Sequence, residues 1–185
     1  SIKIIKKIKP KIFVFENVSA FLKTACIDMD ENVKSIEEAI NYNLGNDYVI
    51  MSRVMNFKDY GSNSSRTRTL VIGVRMDLED FISPIDLFPK RKKEKTLKQV
   101  IGKLKPLKGF GEISNEDIYH FFRTYPEYIR SWIHDLKEGE SAFDQEDDNK
   151  KPHRIVDGKI KINVNKTGDK YKRQCWNKVA PCIHT

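Results

Sequence analysis

The sequence predicts an α/β fold that gives way to a mixed, loop-rich region, on three observations. Residues 12–15 (IFVF) form a continuous apolar run of the kind buried on both faces of a parallel sheet. Residues 33–44 carry Val33, Ile36, Ala39, Ile40 and Leu44 at helical spacing, so a helix with one apolar face follows that strand. After Arg75 the texture changes, as prolines, charge runs and aromatic clusters replace the alternation of strand and helix. A boundary is expected there, dividing 1–89 from 90–185.

Taken in order, Ile2, Ile4, Ile5 and Ile8 with lysines between them read as the end of a helix that Pro10 stops. Glu16 and Asn17 fall just past the C-terminal end of the strand at 12–15, the edge where open α/β sheets bind ligands. Asn43, Gly45 and Asn46 stop the helix. Residues 48–54 (YVIMSRV) are a second strand, 58–65 are loop chemistry, and 69–74 (TLVIGV) are a third strand. Pro84 and Pro89 bracket a turn. Residues 90–95 (KRKKEK) are either a solvated hinge or a stretch that tracks a phosphate backbone. Residues 97–104 read as a short helix, and 117–136 as aromatic-rich helix in two pieces broken at Pro126. Residues 138–148 are acidic and turn-like. Residues 155–164 signal a hairpin, with Asp157-Gly158 between alternating apolar residues. Residues 171–185 are basic, then apolar. No repeat or low-complexity tract occurs.

Composition bounds the partners. The chain has 185 residues and 21.6 kDa, enough for one good-sized domain or one and a half small ones. Its net charge is +8 with a pI near 9.3, which favours a polyanion, either nucleic acid or an acidic membrane face. No apolar run approaches the roughly 18 residues of a membrane span, and the basic start has no cleavage-site pattern. Cys26, Cys175 and Cys182 form no C-x-x-C pair, which points to neither a zinc site nor a disulfide framework and fits a reducing cytoplasm. His120, His134, His153 and His184 have no second ligand at helical spacing, so no metal is expected. Trp132 and Trp176 are expected in the core.

Two blocks carry more than composition does. Residues 10–22 read PKIFVFENVSAFL and residues 60–75 read YGSNSSRTRTLVIGVR, each a strand signal joined to a polar cluster. Separately each is weak: a glutamate at a strand end is usually a surface residue, and alternating arginines are what a strand with one wet face shows. In this order they resemble two blocks of the C5-cytosine-specific DNA methyltransferases, of the bacterial restriction-modification type. The resemblance implies the second half of a Rossmann-like methyltransferase sheet, followed by part of a target recognition region. It also implies methyl transfer from S-adenosylmethionine to carbon 5 of a cytosine flipped out of a specific site in double-stranded DNA.

That chemistry assigns roles by resemblance. Carbon 5 is a poor nucleophile until a thiolate adds at carbon 6, and the ring must be helped to accept it. Glu16 would be the acid at N3, with Asn17 and Val18 completing its triplet. Arg68 would stabilise charge at O2, and Arg66 would support the catalytic loop or the backbone. Asn56, Tyr60 and Gly61 match the lead-in to the second block, whereas Ser64 stands where the family has Gln and Asn63 where it has Pro. Segments such as DIYHFF, VDGKIKI and YKRQCWNKVAPCIHT resemble the recognition region. There Lys172 and Arg173 are expected either at phosphates or on a solvated basic face. The chain has no Gly-rich cofactor loop and no Pro-Cys ahead of Glu16. It therefore reads as an internal fragment, inactive alone, with S-adenosylmethionine held mainly by segments outside it. All three cysteines read as structural. The full-length form is expected to be a monomer in the bacterial cytoplasm, with no membrane or metal partner. Two rivals stay open: a non-catalytic DNA-binding subunit or degenerate methyltransferase-like module, and a basic α/β domain with no DNA role.

Overall fold

The computed structural model describes residues 1–163 and 171–182. Val164, the last residue of the expected hairpin, and His184 lie outside the described residues. The chain divides into two compact units, Ser1–Glu94 and Lys95–Thr185.

The first unit is α/β. Helix α1 (Ile2–Ile8) ends at Lys9, whose left-handed backbone turns the chain into strand β1 (Ile12–Asn17). A small hairpin of β2 (Ala25–Ile27) and β3 (Val33–Ser35) leads to helix α2 (Ile36–Leu44). Strand β4 (Tyr48–Asn56), a 3-10 turn over Phe57–Tyr60, the two-residue strand β5 (Ser64–Ser65) and β6 (Thr67–Arg75) complete it. The principal sheet has the order β1-β6-β4.

Both pairings in that sheet are antiparallel, which corrects the expectation that residues 12–15 lie in parallel pairing. The connection from β4 to β6 is too short for a crossover, so β6 must return antiparallel to β4. It inserts between β4 and β1, which run in the same direction and are linked through α2. Nor is β1 buried on both faces: Phe13 is buried, while Val14 is exposed. Phe13 and Val71 face α1 and α2 with Ile5, Ile40, Leu44 and Tyr48. The opposite face packs Met55 and Ile72 against Phe88. Gly73 is needed where it sits, because a Cβ there would fall inside the Phe13 ring.

Three further boundaries differ from expectation. Glu16 and Asn17 are the last two residues of β1 rather than lying beyond it. Helix α2 starts at Ile36 and not at Val33, because Ser35 caps it: its hydroxyl accepts from Glu38 N–H, and the Glu38 carboxylate accepts from Ser35 N–H. Val33, apolar at helical spacing, is exposed in β3. Strand β4 runs two residues past Val54 to Asn56.

The second unit has little regular structure. Helix α3 (Leu97–Ile101) is capped by Thr96 and ends at Gly102, short of Leu104. Of the two helical pieces expected over 117–136, only α4 (Glu127–Ile133) forms. Before Pro126, Asp117 accepts from Tyr119 N–H, and Phe122 exchanges backbone bonds with Gly111 and Glu112, so that stretch is held extended. Strands β7 (His153–Val156) and β8 (Lys159–Ile162) form a hairpin across Asp157 and Gly158, both at positive φ. Its core gathers Trp132, Leu136 and Ala142. Trp176 is exposed rather than in the core.

Candidate active site

Strand register builds the site. Glu16 lies opposite Leu70 across the β1–β6 ladder. Arg68 is two residues before Leu70 on β6, so it shares Leu70's face and is the diagonal neighbour of Glu16, within reach of a long side chain. Arg68 Nε is 3.1 Å from Glu16 Oε1. The Glu16 side chain is 44% exposed and that of Arg68 17%, so the pair has one side open to an incoming group. Arg68 Nη1 also donates to the Thr67 carbonyl at 2.7 Å, which fixes the guanidinium's orientation.

Each flank is tied down by local hydrogen bonds. Past Glu16, Val18 N–H donates to Asn17 Oδ1 at 2.8 Å, turning the chain, and Val18 itself is exposed. The buried Thr69 hydroxyl donates to Ser19 O at 3.2 Å, joining β6 to that turn. On the arginine side Asn56 is the hub. Its Oδ1 accepts from Arg66 N–H at 3.0 Å and from Lys58 N–H at 3.2 Å, and its Nδ2 donates to Ser65 Oγ at 2.9 Å. Ser64 N–H donates to Ser62 Oγ at 3.3 Å. The structure therefore brings Glu16 and Arg68 together and holds Arg66 and Ser64 on the strip leading to them.

Sequence reasoning treated Asn56 as lead-in only and did not single out Thr69. The readable signal for Asn56 was an Asn just before a polar turn cluster, where its side chain satisfies free backbone donors. Lys172 and Arg173 lie in the second unit. Both are exposed, but the Arg173 guanidinium donates to Leu136 O at 3.0 Å, so part of it caps the chain after α4.

An open cavity of about 590 Å³ lies at the end of β1, lined by Phe15, Glu16, Asn17, Phe21 and Ile36 among others, with the free thiol Cys26 also on its wall. That volume is in the range of small-molecule sites.

The sequence model of the C-5 cytosine-specific DNA methylases matches residues 1–181. The chain belongs to this family. The methylase chain is 26% identical over 185 residues to the Type II methyltransferase M1.HgaI of Avibacterium volantium, covering 98% of this chain and 47% of that protein. It is 29% identical over 135 residues to the Type II methyltransferase M.XorII of Xanthomonas oryzae pv. oryzae, covering 70% of this chain and 29% of the relative. It is 35% identical over 69 residues to the Type II methyltransferase M.NgoFVII of Neisseria gonorrhoeae, covering 37% and 17%. The methylase chain thus spans less than half the length of each of these relatives. A solved structure assigned as a prophage-encoded DNA modification methyltransferase (E. coli) matches with a TM-score of 0.59 at 15% identity, over 97% of this chain and 54% of that one. At that identity the likeness is one of fold.

The family implies S-adenosylmethionine. Among the described residues the glycines with positive φ are Gly61, Gly111, Gly139 and Gly158, and none forms a tight turn between a strand end and a helix start. Among the described residues no cluster of metal-ligating side chains occurs, and no helix is long and apolar enough to cross a membrane.

Proposed function

We propose that this chain supplies the base-holding half of a DNA (cytosine-5-)-methyltransferase active site. Glu16 and Arg68 grip the edge of a cytosine turned out of double-stranded DNA. The 3.1 Å Glu16–Arg68 pair carries the reading. N3 and O2 of cytosine hang on one ring carbon, so a carboxyl serving N3 and a guanidinium serving O2 must be immediate neighbours. Glu16 would hold the proton at N3 and accept from the exocyclic amine, while Arg68 donates to O2. Both act where negative charge would build up as a nucleophile adds to the ring. Arg66 holds the strip beside Arg68, and Asn17, Val18 and Ser64 shape the turns around the pair. S-adenosylmethionine supplies the methyl group when bound. The chain's own residues hold and polarise the base, and no methyl transfer is expected from the chain by itself. Lys172 and Arg173 contribute phosphate contacts. The setting is a restriction-modification enzyme acting as a monomer in the bacterial cytoplasm.

The test needs no cofactor. A duplex in which a cytosine faces an abasic position no longer resists base turning. The chain should bind it roughly tenfold tighter than the fully paired duplex, because unpairing costs a few kcal/mol that the lesion removes. Glu16→Gln and Arg68→Ala should each abolish that preference, read by fluorescence anisotropy. Equal affinity of the unaltered chain for both duplexes would overturn the base-holding role. Radioactive methyl incorporation into cytosine-containing DNA by the chain alone would refute its inactivity.

A further inference from the structure

The second unit holds a concavity of about 760 Å³ whose aromatic wall the proposed function leaves unused. Its size is that of a small-molecule site. The aromatic-rich stretch around Pro126 supplies that wall through Phe122 and Tyr125, and Phe110 joins them. The Phe110 and Phe122 rings have centroids 4.5 Å apart, and Tyr125 meets Phe110 edge-on at 6.2 Å. Hydrogen bonds set the rings in place. Gly111 N–H donates to Phe122 O at 2.7 Å, and Phe122 N–H donates to Glu112 O at 2.8 Å. Arg130 Nε donates to Tyr125 O at 2.7 Å, and its guanidinium lies 5.3 Å from the Phe110 centroid.

The same concavity is cationic. Lys108, Lys172 and Arg173 line it, and among the described residues no carboxylate does. Backbone bonds fix the strip that carries two of these cations. Ala142 N–H donates to Tyr171 O at 2.9 Å, Arg173 N–H to Glu140 O at 2.9 Å and Gly139 N–H to Arg173 O at 2.8 Å. Among the described residues none of the three cations is in a salt bridge, whereas Lys105, three residues before Lys108, is paired with Glu116. Arg173 spends one nitrogen on Leu136 O and keeps its other donors.

Rings alone would take any apolar molecule, and cations alone any anion. A planar ring that carries its own negative charge satisfies both. Three cations suit a doubly charged phosphate better than a single carboxylate. The volume leaves room for a sugar between ring and phosphate. We propose that this concavity binds a free nucleoside monophosphate, with its base stacked on Phe110 and Phe122 and its phosphate held by Lys108, Lys172 and Arg173. The site takes a small ligand and so goes beyond the proposed function. It rests on that function in one respect: Lys172 and Arg173 are also its phosphate contacts, so the nucleotide and duplex DNA compete for them.

The experiment titrates inosine 5′-monophosphate into the whole chain by calorimetry, beside inosine and inorganic phosphate. Stacking on aromatic rings tolerates any base, and inosine lacks the adenine of S-adenosylmethionine. The monophosphate should bind roughly tenfold tighter than inosine or phosphate alone, because only it uses both walls. Phe122→Ala should weaken the monophosphate and inosine alike, by about fivefold or more. Lys172→Gln should weaken the monophosphate and leave inosine unchanged, a split that general loss of structure would not give. Both side chains are exposed, so both variants should fold. A monophosphate that binds no tighter than inorganic phosphate means an adventitious ion only and overturns the site. Phe122-dependent binding of a single-stranded oligonucleotide, with no binding of the monophosphate, makes the concavity a strand contact and also overturns it. Either result leaves the proposed function standing, since that function is read separately with the abasic duplex. At constant ionic strength the monophosphate should lower duplex affinity. Unchanged duplex affinity at saturating monophosphate removes Lys172 and Arg173 from the DNA contacts and leaves the site in place.

Discussion

At the scale of single residues, the site depends on side chains that hold other side chains. Asn56 uses both ends of its amide on the strip from Lys58 to Thr67, accepting two backbone N–H groups and donating to Ser65 Oγ at 2.9 Å and Thr67 Oγ1 at 3.3 Å. Asn56→Ala strands partly buried donors, so it should cost about 1–3 kcal/mol in chemical denaturation. It should also remove the preference for a duplex with an unpaired cytosine, because the strip that leads into Arg68 loses its anchor at Arg66 and Thr67. Asn56→Asp keeps the acceptor and should recover most of the stability; equal loss in both variants would mean that the hub matters only for packing. Glu16, Arg66 and Arg68 were picked out as candidates in the sequence by the order of two motifs. Their distance was not legible there. It follows from the β1–β6 register, and a slip of one residue would have put Glu16 and Arg68 on opposite faces. Asn56 could be seen only as part of a motif, since its partners are set by a turn that composition does not specify.

At the scale of elements, helix α2 is pinned by a charge cluster around buried Asp28 that periodicity hid. Asp28, at the start of the β2–β3 turn, accepts from Lys34 Nζ at 2.8 Å and Asn43 Nδ2 at 2.7 Å, and Lys34 also reaches Asp30 at 2.6 Å. The cluster ties the small hairpin to α2, and the sequence reading ran the helix through Val33 and Lys34 because the apolar spacing was right while the Ser35 cap went unweighed. Hydrogen bonding from Lys34 holds the Asp28 carboxyl below its ordinary value, and with help from Asn32 it holds Asp30 down at about 2. A carboxyl whose folded value is depressed stabilises the fold above its unfolded value of about 4, and that stabilisation is lost as pH falls through the folded value. The thermal midpoint should therefore fall steeply between pH of about 4 and 2. Lys34→Met should lower the midpoint near neutral pH, where Asp28 is left buried without its cation, and should flatten the acid limb so that the two curves converge near pH 2. Parallel curves would show that the cluster is incidental.

At the scale of the whole molecule, each unit is built on its own buried residues, and an exposed basic strip lies between the two in sequence. Residues 90–95 are exposed throughout, and the strip holds itself to the first unit through Lys92 N–H on Asp59 O at 2.8 Å and Glu94 on Lys58 Nζ at 2.9 Å. The first unit packs both faces of its sheet, and the second closes around Trp132, Leu136 and Ala142. Each is within the size at which a domain folds alone. The charge run and the loss of strand–helix alternation put the expected boundary between residues 89 and 90, while the compact division falls after Glu94, where the basic strip is bonded back to the 3-10 turn at Phe57–Tyr60. Proteases select exposed stretches with few backbone bonds, and this one offers trypsin Lys90, Arg91, Lys92, Lys93 and Lys95 in succession. Brief trypsin treatment should cut there first and yield two fragments. The N-terminal fragment should keep its far-UV signature of mixed helix and strand and a cooperative melt, since its sheet and both covering layers lie before the cut. The fragment from the second unit should keep the salt-dependent DNA affinity assigned to Lys172 and Arg173. Slow cleavage at the basic strip relative to other lysines, or loss of the N-terminal fragment's melt on cutting, would mean that the join is part of one cooperative fold.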